Sequence, residues 1–224
     1  MTAMLASVNC IAEALAVETL GVDVIDLKQP AQGALGALDV GDVRNIVAAL
    51  RPDTVVSATI GDMPMQPDII CDAVTRMAAT GIAYVKIGVF PGGDWPATLS
   101  RLAAIAQTQA LIAVLFADAE PDFAIIADLR KAGFRGVMLD TMNKVAGSLT
   151  QIAGLDWLTE FVGQAQTQGL LTGLAGSLRI DDIARLLPLK PDYLGFRGAL
   201  CQHHERTATI DPDQVRRIKA RISV

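Results

Sequence analysis

The chain has 224 residues, 51% of them hydrophobic, 19% charged and 4% aromatic. Its mean hydropathy of +0.38 suits a sheet buried on both faces, with Ala, Val, Ile and Leu carrying the core. A formal net charge of -5 argues against nucleic acid or an anionic membrane as main partner, although a small anion needs only local positive charge.

The three cysteines, Cys10, Cys71 and Cys201, are widely spaced, with no CxxC. They read as small buried hydrophobes in a reducing compartment. No basic segment precedes an apolar signal core, and no apolar run is long enough to span a bilayer, so a cytoplasmic location is expected.

Apolar strand-like runs alternate with helix-like patterns along the chain. Residues 4–8 form the first run, followed by a helix over 10–21 with Asn9 as N-cap and Gly21 as stop. The second run, 22–30 (VDVIDLKQP), starts with β-branched bulk and then places Asp26 and Lys28 two residues apart. Side chains alternate along a strand, so Val24, Asp26 and Lys28 share one face. The loop AQGALGA leads to a helix ending near Leu50, capped by Asp39 or Asp42. Residues 54–60 are the third strand, followed by a helix closing on Gly81, and residues 83–90 (AYVKIGVF) are the fourth. Asp94 caps the next helix, with Pro96 in its first turn.

The fifth strand covers 110–118, and its helix ends at Gly133. The sixth is GVMLD at 136–140, followed by a long connection with room for a helical turn. A helix runs from Leu155 to Gly169, and 170–177 are the seventh strand. Ser177 or Asp181 opens the helix RIDDIARLLPL, and 192–200 hold the eighth strand. The last helix is capped by Asp211, with Pro212 at its first position. Eight βα units in strict alternation predict one α/β domain over residues 1–224, a (β/α)8 TIM barrel with a closed, all-parallel sheet. A doubly wound open sheet is the competitor, but no GxGxxG follows the first strand.

Active sites of such barrels lie at the C-terminal strand ends. The polar residues expected there are Asp26 and Lys28, Ser57, Thr59 and Asp62, Lys86 in the middle of AYVKIGV, and Asp140 with Lys144 in the following loop. Desolvating an ammonium is unfavourable, so two lysines inside apolar strands need a reason. A structural ion pair is one such reason. Carbonyl chemistry is the other: an amine with a depressed pKa attacks an aldehyde or ketone, while a carboxylate shuttles protons. The glycine-rich ends of strands seven and eight, GLAGSLR and GFRGAL, suit a phosphate cradle from Gly176, Ser177, Arg197 and Gly198. Arg197 needs an anion or a carboxylate, and Asp140 is the alternative partner. His203 and His204 are adjacent, with no third ligand at metal spacing, so they read as loop residues and no metal is expected; no cofactor is expected either. Trp95 and Trp157 read as packing residues. The helix DIICDAVTRMAA either packs on the barrel or offers a homo-oligomer interface.

The runs DVIDLKQPAQGALGA, YVKIGVF, GVMLDTMNK, GLAGSL and YLGFRGALC resemble the (5-formylfuran-3-yl)methyl phosphate synthases, also called 4-(hydroxymethyl)-2-furancarboxaldehyde-phosphate synthases. The resemblance covers nearly the whole chain. It implies a (β/α)8 barrel that condenses two molecules of glyceraldehyde 3-phosphate into a furan, with loss of phosphate and water, for methanofuran-type cofactor biosynthesis. It further implies that Lys28 forms the Schiff base and that Lys86 transfers protons, with Asp26, Asp140 and Lys144 beside them. The second phosphate would fall to Lys144 or to the QGALGA loop. The alternatives are a Schiff-base aldolase for another phosphorylated sugar and a non-catalytic phosphometabolite-binding barrel.

Overall fold

The computed structural model describes residues 1–223. Eight parallel strands close into a barrel in sequence order: β1 (Ala3–Val8), β2 (Val24–Leu27), β3 (Val56–Thr59), β4 (Tyr84–Gly88), β5 (Ala110–Phe116), β6 (Gly136–Asp140), β7 (Leu171–Leu174) and β8 (Tyr193–Phe196). β8 pairs back onto β1 through Ala3 opposite Tyr193. The outer shell holds α1 (Ile11–Thr19), α2 (Val40–Ala49), α3 (Pro67–Ala78), α4 (Trp95–Ile105) and α5 (Ile125–Lys131). It is completed by α6 (Leu149–Ile152), α7 (Leu155–Thr167), α8 (Ile180–Leu186) and α9 (Pro212–Ile222). The short α6 is the helical turn expected in the long connection after β6.

Strand parity creates two cores. Leu111, Ala113 and Leu115 of β5 join the large cluster between sheet and helices. Ile112, Val114 and Phe116 point inward and join Leu5, Met138 and Tyr193 inside the barrel. Closure forces close approach there: a Cβ on Gly173 would sit 2.3 Å from the Tyr193 ring.

Helix starts follow the available oxygen acceptors. Asp39, Asp94 and Asp211 cap α2, α4 and α9 by accepting backbone N–H bonds. Two expected caps are corrected. Cys10, not Asn9, precedes α1, and the Asn9 N–H donates to Glu13 at 3.1 Å. Arg179, not Ser177 or Asp181, precedes α8, and its N–H donates to Asp182 at 2.7 Å. In each case a carboxylate inside the helix reaches back and replaces the missing capping side chain. The eighth strand is also shorter than expected, because Gly198–Leu200 turn into a 3-10 helix.

Cys71 and Cys201 are buried, but Cys10 is exposed, which corrects the reading of all three as core residues. Trp157 packs on Phe123 with ring centroids 4.6 Å apart. α3 buries Ile70, Cys71, Ala73, Val74 and Met77 on the barrel. Among the described residues no helix is long and apolar enough to cross a membrane.

Gly173→Ala should lower the unfolding free energy by about 1–3 kcal/mol in a denaturant titration, because the added methyl has to displace an aromatic ring in a packed core. Unchanged stability would mean that the Tyr193 ring has room to move.

Candidate active site at the C-terminal mouth

Two buried carboxylates organise the mouth of the barrel. Asp26 on β2 is fully buried. Its Oδ1 accepts from Ser57 Oγ at 2.7 Å and from Lys86 Nζ at 2.9 Å. Its Oδ2 accepts from Ser7 Oγ at 2.9 Å. Donors from β1, β3 and β4 thus converge on one group and hold the Lys86 ammonium in place. Asp140, at the end of β6, accepts from the Thr141 N–H at 2.7 Å and from the Lys144 ammonium through the same oxygen. Its other oxygen lies 3.7 Å from Lys28 Nζ. Lys28 sits one residue past β2, still aligned by its N–H bond to Val8 O at 3.0 Å.

Parity places Asp26, Lys28, Lys86 and Asp140 as expected, and they line one cavity of about 280 Å3 together with Lys144 from the loop after β6. Burial is the main reason that the Lys28 pKa falls to about 8; Lys144 and Lys86 add to the fall, and Asp140 opposes it. Burial alone would raise Asp140, but the two neighbouring ammoniums and the N–H bond outweigh it and hold the carboxyl below the usual range. The mouth thus combines an amine poised to lose its proton with an ionised carboxylate beside it.

The cavity wall opposite is made by the loops after β7 and β8. Gly176, Ser177 and Gly198 line it. Gly176 has φ +110°, and a Cβ there would meet Thr141 Cγ2 at 2.8 Å. Ser177 Oγ donates to Lys144 O at 3.0 Å, which ties this loop to the one after β6.

Arg197 requires a correction. Its carboxylate partner is Glu13 of α1, not Asp140, and both side chains are buried. All five guanidinium N–H groups are engaged: with Glu13 twice, and with the carbonyls of Ser7, Arg206 and Ala208. It lines the cavity but has no donor left for a phosphate. Two N–H groups of the QGALGA loop are already taken. Asp62 accepts its Ala34 and Leu35 N–H bonds at 2.7 Å each, and Leu35 plugs the barrel top beside Gly88. Thr59 Oγ1 donates to Gly36 O at 3.1 Å in the same loop.

Four further polar residues line the cavity: Ser7, Arg179, His204 and Arg206. Ser7 was reachable by parity, two residues from the inward-facing Leu5. Arg179, His204 and Arg206 lie outside strands, where no periodicity signals facing. Five cations, Lys28, Lys86, Lys144, Arg179 and Arg206, stand against the carboxylates Asp26 and Asp140. This local excess suits an anionic ligand despite the acidic chain. Among the described residues no group of three His, Cys, Asp or Glu could hold a metal ion.

A family model described as 4-HFC-P synthase matches residues 4–219. A Methylorubrum extorquens protein, provisionally named a (5-formylfuran-3-yl)methyl phosphate synthase, is 42% identical over 212 residues, covering 95% of this chain and 88% of that protein. The (5-formylfuran-3-yl)methyl phosphate synthase of Methanocaldococcus jannaschii is 31% identical over 213 residues, covering 89% and 90%. Among solved structures, a 3-hexulose-6-phosphate synthase superposes with TM-score 0.69 at 17% identity, covering 98% of this chain and 99% of the other. At that identity it speaks for the barrel alone. The family match, spanning nearly every element that builds the mouth, makes this chain a member of the (5-formylfuran-3-yl)methyl phosphate synthase family and hence an enzyme.

Proposed function

We propose that the protein is a carbon–oxygen lyase that condenses two molecules of glyceraldehyde 3-phosphate into (5-formylfuran-3-yl)methyl phosphate through an imine on Lys28. One inorganic phosphate and two water molecules leave, and the product supplies a methanofuran-type cofactor. The observation that carries this reading is a buried lysine with a pKa near 8, 3.7 Å from the carboxylate of Asp140. A neutral amine is the nucleophile that imine formation requires, and at neutral pH an ordinary lysine offers almost none.

In this reading Lys28 adds to the aldehyde of one triose, and Asp140 assists loss of the carbinolamine hydroxyl as water. Lys86, held by Asp26, removes or returns the proton next to the carbonyl during enolisation. The enol carbon attacks the carbonyl of the second triose. β-Elimination of phosphate and two further dehydrations then lead to the aromatic ring, and hydrolysis of the imine returns one water and frees the aldehyde from Lys28. Gly176, Ser177 and Gly198 offer backbone N–H groups to one phosphate, and Lys144 supplies charge for another.

Feeding glyceraldehyde 3-phosphate alone should produce furan absorbance, and borohydride should trap substrate on Lys28 by peptide mapping. A retro-aldol product without ring formation would favour the aldolase alternative. Lys28→Arg keeps the charge but forms no imine, so turnover should disappear while binding remains; turnover in that variant would defeat the covalent mechanism.

The trapping rate should rise with pH through a midpoint of about 8 and level off above it. Lys144→Met removes a repelling charge and should move the midpoint up, and Asp140→Asn removes an attracting one and should move it down. Linkage gives a second readout. Between about 8 and 10.5 the unfolded lysine holds a proton that the folded one has lost, so stability gains from this group as pH rises through that window. Lys28→Met should erase that increment in denaturant titrations at pH 8 and 10. A trapping midpoint near 10.5 would show that burial does not perturb Lys28.

A further inference from the structure

The ion pair between Glu13 and Arg197 takes no part in the imine chemistry, yet it joins three segments at the same mouth. Both side chains are 7% exposed. Arg197 Nη1 donates to Glu13 Oε2 at 2.5 Å and to Ser7 O at 3.1 Å. Nη2 donates to Glu13 Oε1 at 3.2 Å and to Ala208 O at 3.0 Å, and Nε donates to Arg206 O at 2.8 Å. Glu13 also accepts from the backbone N–H groups of Asn9 and Ile210 at 3.1 and 3.3 Å. The end of β1, the first turn of α1 and the loop after β8 therefore meet at one pair.

A buried pair of this kind is costly to desolvate, and apolar packing usually serves stability as well. What it does here is hold a loop that local preferences resist. His203 and His204 in that loop have φ +55° and +58°, a region that non-glycine residues avoid. The loop carries Arg206, whose backbone carbonyl is gripped by Arg197 and whose half-buried side chain lines the cavity. Among the described residues, the Arg206 guanidinium makes one hydrogen bond, from Nη2 to Gly33 O at 3.1 Å. Most of its donors are thus open to an anion in the cavity, whereas those of Arg197 are closed.

We propose that the Glu13–Arg197 pair is a positioning device that holds the Arg206 guanidinium where it binds a phosphate oxygen of the substrate. This rests on the phosphorylated-substrate reading above, and inorganic phosphate tests it without turnover. Calorimetric titration with phosphate should show Glu13→Gln and Arg206→Gln each weakening affinity about tenfold. The double variant should bind no more weakly than Arg206→Gln alone, because the pair acts through that residue. With glyceraldehyde 3-phosphate, Glu13→Gln should raise KM by more than it lowers kcat. Should Glu13→Gln fail to fold, Glu13→Asp keeps the charge, shortens the reach and is read by the same titration.

Three results would overturn the proposal: additive losses in the double variant, unchanged phosphate affinity in Arg206→Gln, or a lowered Tm in the Glu13 variant with phosphate affinity intact. Phosphate losses as expected in a protein that forms no furan would leave the positioning role standing and refute the furan-forming reading alone.

Discussion

The structure turns on burying four charges at one end of a closed barrel. Lys28 and Lys86 are 6% and 3% exposed, Asp26 and Asp140 0% and 3%. None of them is cheap to remove from water alone. Each carboxylate offsets that cost for an ammonium, but the two do so differently. Asp26 accepts from Ser7, Ser57 and Lys86 at 2.7 to 2.9 Å, so Lys86 is bonded to it directly. Asp140 bonds Lys144 directly and keeps Lys28 at 3.7 Å. The weaker contact leaves Lys28 under-compensated, which is why burial wins and its proton is loosely held.

That arrangement survives only if the loops above it stay put, and carboxylates pin them to backbone N–H groups. Asp62 holds Ala34 and Leu35, and Asp118 holds Met142 and Asn143 at 2.7 and 2.6 Å. Asp182 takes the Arg179 N–H, and Glu13 takes those of Asn9 and Ile210. Several of these staples come from a neighbouring βα unit rather than from the loop's own. The rim is thereby cross-linked around the barrel, and the cavity keeps its shape against the tendency of long loops to move.

Strand-borne features were readable in advance because period two is a local property. Asp26, Lys28, Lys86 and Asp140 fell where alternation put them, and all line one cavity. Loop-borne features were readable only in part. Arg197 looked like a phosphate ligand because an arginine beside glycines at a strand end needs an anion. The anion turned out to be Glu13, 184 residues away in sequence. The QGALGA loop looked like a cradle of free N–H groups, and Asp62 had already claimed two of them. Nothing in the spacing of Arg206 marked it as part of the mouth.

The sequence by itself determined the alternation of strand and helix and which strand residues share a face, since each follows from nearest-neighbour geometry along the chain. Only the tertiary structure decided which charges pair. Hydrogen-bond donors and acceptors on different βα units meet only after closure brings β8 beside β1, and a guanidinium or carboxylate has no preference for one distant partner until then.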